Sequence, residues 1–168
     1  MIETERLRLS PLSREQAEHI IAGERTGQPW AVGYPRSDDQ DVARMFLTAP
    51  PAEDGFGPLQ IMDRRTALVI GGIGFFGPPD ALGLVELGYG VAPEVEGRGY
   101  ATEALRALLA WAYRTGRVTR AIADTTHDNV GSQRVMEKAG MRHTGADKHR
   151  RYYQWRAART DDAGLLAR

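Results

Sequence analysis

Val91-Ala92-Pro93-Glu94-Val95-Glu96-Gly97-Arg98-Gly99-Tyr100-Ala101-Thr102-Glu103-Ala104-Leu105 reads as the end of a strand, a glycine-rich turn and the first turns of a helix. The strand is Leu84-Val85-Glu86-Leu87-Gly88-Tyr89-Gly90-Val91, rich in β-branched and large apolar residues. Pro93 ends it, because proline donates nothing to a sheet ladder. Gly97 and Gly99 allow a tight turn and a close approach of backbone to a bound group. From Tyr100 the period changes. Ala101, Leu105, Leu108 and Ala112 share one helical face, as a helix packed on a sheet requires.

A turn of this kind leaves main-chain N–H groups without intrahelical partners at the positive end of the helix dipole. Such a place suits phosphate or diphosphate. The stretch is not a Walker loop, since no Gly-Lys-Ser/Thr follows, and it lacks the third glycine of the dinucleotide fingerprint in frame.

At 168 residues the chain is one domain by length, with room for a sizeable core. Apolar residues at 42% and charged residues at 26% are ordinary for a globular protein. A formal net charge of +0 argues against a general nucleic-acid binder. No apolar run is long enough to span a bilayer, so no membrane partner is expected. Met1-Ile2-Glu3-Thr4-Glu5-Arg6 is acidic where a signal peptide is basic, which makes the cytoplasm the expected location. With no cysteine, a disulfide, a thiolate metal site and a cysteine nucleophile are excluded. His19, His127, His143 and His149 show no metal spacing, and no metal is expected.

Val91-Ala92-Pro93, with Glu96-Gly97-Arg98-Gly99-Tyr100-Ala101-Thr102-Glu103-Ala104, resembles the acetyl-CoA loop of the GNAT superfamily of N-acetyltransferases. Asn129-Val130-Gly131-Ser132-Gln133-Arg134-Val135-Met136-Glu137-Lys138-Ala139-Gly140-Met141 resembles that family's second motif, in the right order and at the right spacing. Thr4-Glu5-Arg6-Leu7-Arg8-Leu9 is similar to the first strand of the RimJ/RimL-like branch, which acetylates the N-termini of ribosomal proteins. The likeness spans about residues 3 to 156. One departure is Glu96, where the family usually has Gln or Arg; an acid there adds repulsion toward a diphosphate.

The fold class expected is α/β. Strands alternate with helices after residue 84, and a run of strands precedes them, which suits one mixed sheet with helices on both faces. The resemblance implies a mostly antiparallel sheet, splayed between its fourth and fifth strands, here Leu84–Val91 and Thr119–Asp124. Ser13 and Gln16 form a capping-box pattern for a first helix, and Ser37-Asp38-Asp39 opens a second. Residues 50–55 read as a connector, 59–62 and 66–73 as a hairpin, and 141–144 and 151–156 as final strands. The domain is set at 1–159, with a poorly ordered tail over 160–168.

Acetyl transfer to an amine needs four things. The diphosphate site falls on the backbone of Gly97, Arg98, Gly99, Tyr100, Ala101 and Thr102, with the Arg98 side chain as a charge partner. The resemblance implies that the backbone of Val91 and Ala92 pairs with the pantetheine arm and that an N–H there polarises the carbonyl. One such donor is worth roughly 3 kcal/mol. A base is needed because a free amine, with a pKa near 10, arrives mostly protonated. Glu86 is the candidate base and acceptor-site carboxylate: it is the only acid in an apolar strand, where partial burial would strengthen it. The alternative is an outward, solvated carboxylate. The last need is an acid for the leaving thiolate, whose pKa is about 8.5. The resemblance puts Ser132 there, with Asn129 capping the helix and touching the pantetheine arm. Trp30 and Tyr34 are assigned to the acceptor pocket, with burial in the core as their alternative.

These residues point to an enzyme using acetyl-CoA as co-substrate and an amine acceptor, either a small molecule or a protein N-terminus. The alternatives are an acyl-CoA-binding sensor without turnover and a nucleotide-binding domain of another fold. Monomer and homodimer are both open.

Overall fold

The computed structural model describes residues 1–49 and 54–157, so most of the expected connector and the tail lie outside the described residues. Among the described residues are eight strands, β1 (Ile2–Glu3), β2 (Leu7–Pro11), β3 (Pro58–Asp63), β4 (Leu68–Phe75), β5 (Leu84–Val91), β6 (Arg120–Thr126), β7 (Arg142–Ala146) and β8 (Arg150–Arg156). The helices are α1 (Arg14–Ala22), α2 (Ser37–Thr48), α3 (Tyr100–Arg114) and α4 (Val130–Lys138). The strands form one sheet in the order β1-β2-β3-β4-β5-β6-β8-β7. Its neighbours run antiparallel except β5 and β6, which are parallel. A parallel step needs a crossover, and α3 is that crossover.

The helix ends follow from their capping residues. Ser13 and Gln16 close a reciprocal capping box on α1, and Gly23 at φ 67° ends it. Asn129 accepts from the Ser132 N–H and starts α4. Before β5, Asp80 accepts from the Leu82 and Leu84 N–H groups and sets the strand's entry.

The two faces of the sheet are covered differently. Ala104, Leu105, Leu108, Leu109 and Ala112 of α3 are buried, as are Val85, Leu87 and Val91 of β5. Phe75, opposite Leu87 in the register, packs with Trp111 of α3 and with Phe56. The odd-numbered face of β5 therefore looks toward α3. On the other face, Gly72 and Gly90 are register partners, and the start of α2 lies over them. A Cβ at Gly90 would fall on the Arg36 guanidinium, and one at Gly72 would come within 2.9 Å of Asp39 Oδ1. Asp39 is buried and accepts from the Arg36 N–H and Nε, both at 2.9 Å, and from Nη2 at 3.0 Å.

Several boundaries differ from the sequence reading by one or two residues. β6 runs on to Thr126 because β8 keeps pairing with it as far as Arg150. β4 begins at Leu68 because Ala67, at φ 57°, still belongs to the turn. The two-residue β1 pairs with Leu9 and Arg8 and is too short to show periodicity. It also shifts the count, so the expected splay lies between the fifth and sixth strands here.

Leu105 has no exposed surface. Leu105→Ala should cost about 3 kcal/mol of unfolding free energy in urea, through lost transfer energy and a residual cavity. A cost under about 1 kcal/mol would mean that the seat of α3 is not tightly packed.

Candidate active site

β5 and β6 are paired only at Leu84–Arg120, Val85–Ala121 and Glu86–Ile122. Beyond that point β5 stays on β4 as far as Val91, and β6 stays on β8 as far as Thr126. The strands part, and a gap opens between them.

Two main-chain bonds fix which groups face the gap. The Phe76 N–H donates to the Glu86 carbonyl at 3.0 Å, and the Ala92 N–H donates to the Ile70 carbonyl at 2.7 Å. In an antiparallel pair the bonded positions alternate. Even-numbered residues of β5 therefore bond to β4, and Leu87, Tyr89 and Val91 turn their N–H and C=O groups to the gap. The main-chain groups of Val91 are not taken by β4. Those of Ala92 are engaged: its N–H is taken by Ile70, and its carbonyl accepts from the Val95 N–H. The assignment of Ala92 to the pantetheine arm is corrected on this ground.

Pro93–Val95 form a short 3-10 turn, closed when the Glu96 N–H donates to the Pro93 carbonyl. Glu94 ties this turn to the loop before α2, accepting from the Gly33 N–H at 2.8 Å. Gly97 and Gly99 follow at φ 72° and 80°. Among the described residues, the N–H groups of 97–102 donate to no protein group. The first bond of α3 runs from the Glu103 N–H to the Gly99 carbonyl. Six open amides at a helix N-terminus are suited to an anion. Arg98 is exposed beside it.

The N-terminal segment grips this turn. Arg6 donates from Nη1 to the Arg98 carbonyl at 3.0 Å and from Nε to Glu103 Oε2 at 2.6 Å. The Arg6 N–H and the Thr4 hydroxyl both donate to Glu103 Oε1, at 3.1 and 2.6 Å. The guanidinium stacks 4.6 Å from the centre of the Tyr100 ring, and the Tyr100 hydroxyl donates to buried Asp63. A cavity of about 620 Å³ opens alongside, lined among others by Arg6, Gly99, Thr102, Arg106 and Lys138.

On the α4 side of the gap, Ser132 is half-buried. Its Oγ lies 2.9 Å from the Tyr89 hydroxyl, which is also 3.0 Å from the Ser132 carbonyl oxygen. Burial pushes the Tyr89 phenol up to about 12, partly opposed by the Ser132 bond, so it stays neutral and able to donate. This contact joins residues 43 apart, and sequence reasoning missed it. The available signal was parity, which puts Tyr89 on the opposite side of β5 from Glu86.

Glu86 shares its face with Gly88 and Gly90, as alternation requires. It is exposed, so the partial burial expected to strengthen it is absent. It lines a cavity of about 140 Å³ with Ile122, Asp124, Thr144 and Tyr152. Asp124 there is paired with Arg150 at 2.8 Å. Glu86 and Ser132 thus stand at opposite faces of the sheet, beside the same gap.

Trp30 and Tyr34 do not join this site. They are 8% and 1% exposed and pack edge to face, with centroids 5.7 Å apart. The Tyr34 hydroxyl accepts from buried Gln60, and burial pushes its pKa up. Both are core residues holding the loop before α2 against β3 and β4, so neither offers a surface to an acceptor. Among the described residues no group of His, Cys, Asp or Glu could hold a metal ion, and no helix is long and apolar enough to cross a membrane.

The sheet thus splits beside a glycine turn, with open amides at the start of the following helix. Residues 6–142 match the family described as Acetyltransferase (GNAT) domain, and the chain belongs to that family. An uncharacterized N-acetyltransferase of Bacillus subtilis strain 168, YjdG, is 32% identical over 164 residues, covering 89% of this chain and 95% of its own. Among solved structures, a microcin self immunity acetyltransferase, MccE, in complex with acetyl-CoA and AMP, superposes with a TM-score of 0.68 at 16% identity, over 92% of this chain and 94% of its own. RimL, a ribosomal L7/L12 alpha-N-protein acetyltransferase in complex with coenzyme A, gives 0.68 at 15% identity, over 91% and 95%.

For Glu103, burial acts to raise the pKa, but the bonds from Thr4 and Arg6 and the Arg6 charge outweigh it, leaving the carboxyl below the ordinary range. A depressed folded pKa adds stability that is complete above the unfolded value and lost as pH falls through the folded one. The thermal stability of the wild type relative to Glu103→Gln should therefore be greatest near neutrality and shrink below about pH 4. A difference that stays constant into acid would show that this carboxyl's ionisation is not linked to folding.

Proposed function

We propose that the protein moves the acetyl group of acetyl-CoA to a primary amine by direct attack. The observation that carries this reading is the open main chain of Val91 beside six unpartnered amides at residues 97–102. The fit is chemical as well as spatial. Amides and a helix dipole suit a diphosphate, and an unpaired strand edge suits an amide-containing arm. The name of one structural neighbour, solved with acetyl-CoA, is in keeping with this.

Acetyl-CoA supplies the electrophilic carbonyl carbon, and its C–S bond breaks as the C–N bond forms. The Val91 N–H donates to the carbonyl oxygen, where negative charge develops. Glu86, exposed on the α1/α2 side, takes the proton of the attacking amine, directly or through water. Ser132, on the α3/α4 side, gives a proton to the departing sulfur. The Tyr89 hydroxyl has one proton to share between the Ser132 carbonyl and Oγ; donated to Oγ, it leaves the serine proton free to point toward the sulfur. Attack from one face and departure toward the other need no acyl-enzyme. The acceptor is a protein N-terminal amine, as the RimL likeness suggests, or a small-molecule amine.

Isothermal titration with CoA, followed by thiol release over a panel of amines, tests the proposal. Glu86→Gln and Ser132→Ala should each lower kcat by about 100-fold, within the range of general acid–base effects, with CoA affinity unchanged. Tyr89→Phe should cost about tenfold in kcat. CoA binding without turnover on any amine would instead identify an acyl-CoA sensor, and no CoA binding would remove the proposal.

A further inference from the structure

The Thr4-Glu5-Arg6-Leu7 opening has no part in the chemistry above, yet it is wired to the amide cradle through four hydrogen bonds. We infer that Arg6 is a positioning residue for acetyl-CoA, holding the Arg98 carbonyl and the Glu103 carboxylate away from the amides that receive the diphosphate. This rests on the reading of residues 97–102 as that site.

The first reason is the peptide unit between Arg98 and Gly99. Its C=O and N–H point in opposite directions, because the unit is planar and trans. Arg6 Nη1, 3.0 Å from the Arg98 oxygen, fixes the plane and so turns the Gly99 N–H away from Arg6. Gly99, at φ 80° on the C-terminal side of this unit, leaves it little restraint of its own there.

The second reason is Glu103. An acid in the first turn of a helix is drawn to the free N–H groups there, and its charge opposes a bound anion. Both oxygens of Glu103 are instead occupied, Oε1 by Thr4 and the Arg6 N–H, Oε2 by the Arg6 guanidinium. The segment is itself anchored, since Arg64 donates to the Thr4 carbonyl at 2.6 Å. Arg6 is also a poor direct ligand, because Nε and Nη2 face Glu103 and Nη1 faces Arg98.

The test is isothermal titration of CoA into the wild type, Arg6→Lys, Arg6→Ala, Glu103→Gln and the Arg6→Ala/Glu103→Gln double variant, with thermal melts confirming that each is folded. Lysine keeps the charge and loses the fork, so Arg6→Lys should weaken CoA about tenfold. In steady state its KM for acetyl-CoA should rise, with kcat and the acceptor KM within about twofold of wild type. Arg6→Ala should cost at least as much, and distinctly less when Glu103 is already Gln. Wild-type affinity in Arg6→Lys would overturn the inference. So would an equal cost of Arg6→Ala in both backgrounds, which would make Arg6 a direct phosphate ligand. Should Arg6→Ala fail to fold, Arg6→Lys carries the test. CoA binding by the wild type, measured first, separates failure of this inference from failure of the diphosphate reading.

Discussion

The parting of β5 from β6 after three register pairs is the constraint on which the rest of the molecule depends. A sheet normally satisfies the main chain of every interior strand. Here β5 is satisfied by β4 along its length, and its other edge is left open from Leu87 onward. Such an edge inside a folded domain is costly unless something occupies it. The surroundings keep it open. β8 holds β6 away on one side, α3 leaves the sheet through two glycines at positive φ, and α4 stands across the gap with Ser132 facing Tyr89.

The glycine turn and the gap are linked through the chain itself. The strand that lends its open edge runs directly into the turn that offers the amides, with a short 3-10 turn between. The distance between the open strand edge and the open amides is therefore set by local geometry. The Ala92–Ile70 bond is the last rung of the ladder on the β4 side, and it fixes where the ladder stops and the turn begins. Arg6, Thr4 and Asp63 then fasten the far side of the turn to β2 and β3.

Much of this was legible in the residues. The change of period at Tyr100, the two turn glycines and the capping patterns at Ser13 and Asn129 rest on local physics, and each is seen in the fold. The alternation that sets Glu86 with Gly88 and Gly90 was legible for the same reason. What escaped depends on register or on contacts distant in sequence. Whether Ala92 or Val91 is open depends on which of them meets Ile70, a matter of phase between two strands. Tyr89 and Ser132 meet across the gap, and no periodicity within either segment marks that. Trp30 and Tyr34 were assigned to the pocket with core burial as the alternative, and the loop folds them inward against β3 and β4. Glu86 was assigned a sheltered place that the tapering of the sheet does not give it.

Gly72 and Gly90 sit side by side in neighbouring strands, where residues without side chains weaken a sheet. Their bareness makes a shallow trench, and the Arg36 and Asp39 side chains lie in it as a closed ion pair. The buried carboxylate thus has a charged neighbour in hydrogen-bond contact only because two methyl groups are missing beneath it. The strand that carries Glu86 and the onset of α2 cannot vary independently. Adding bulk to the floor of the trench would unseat the guanidinium and strand Asp39 without its counter-charge, so these two glycines act as the socket for a helix start.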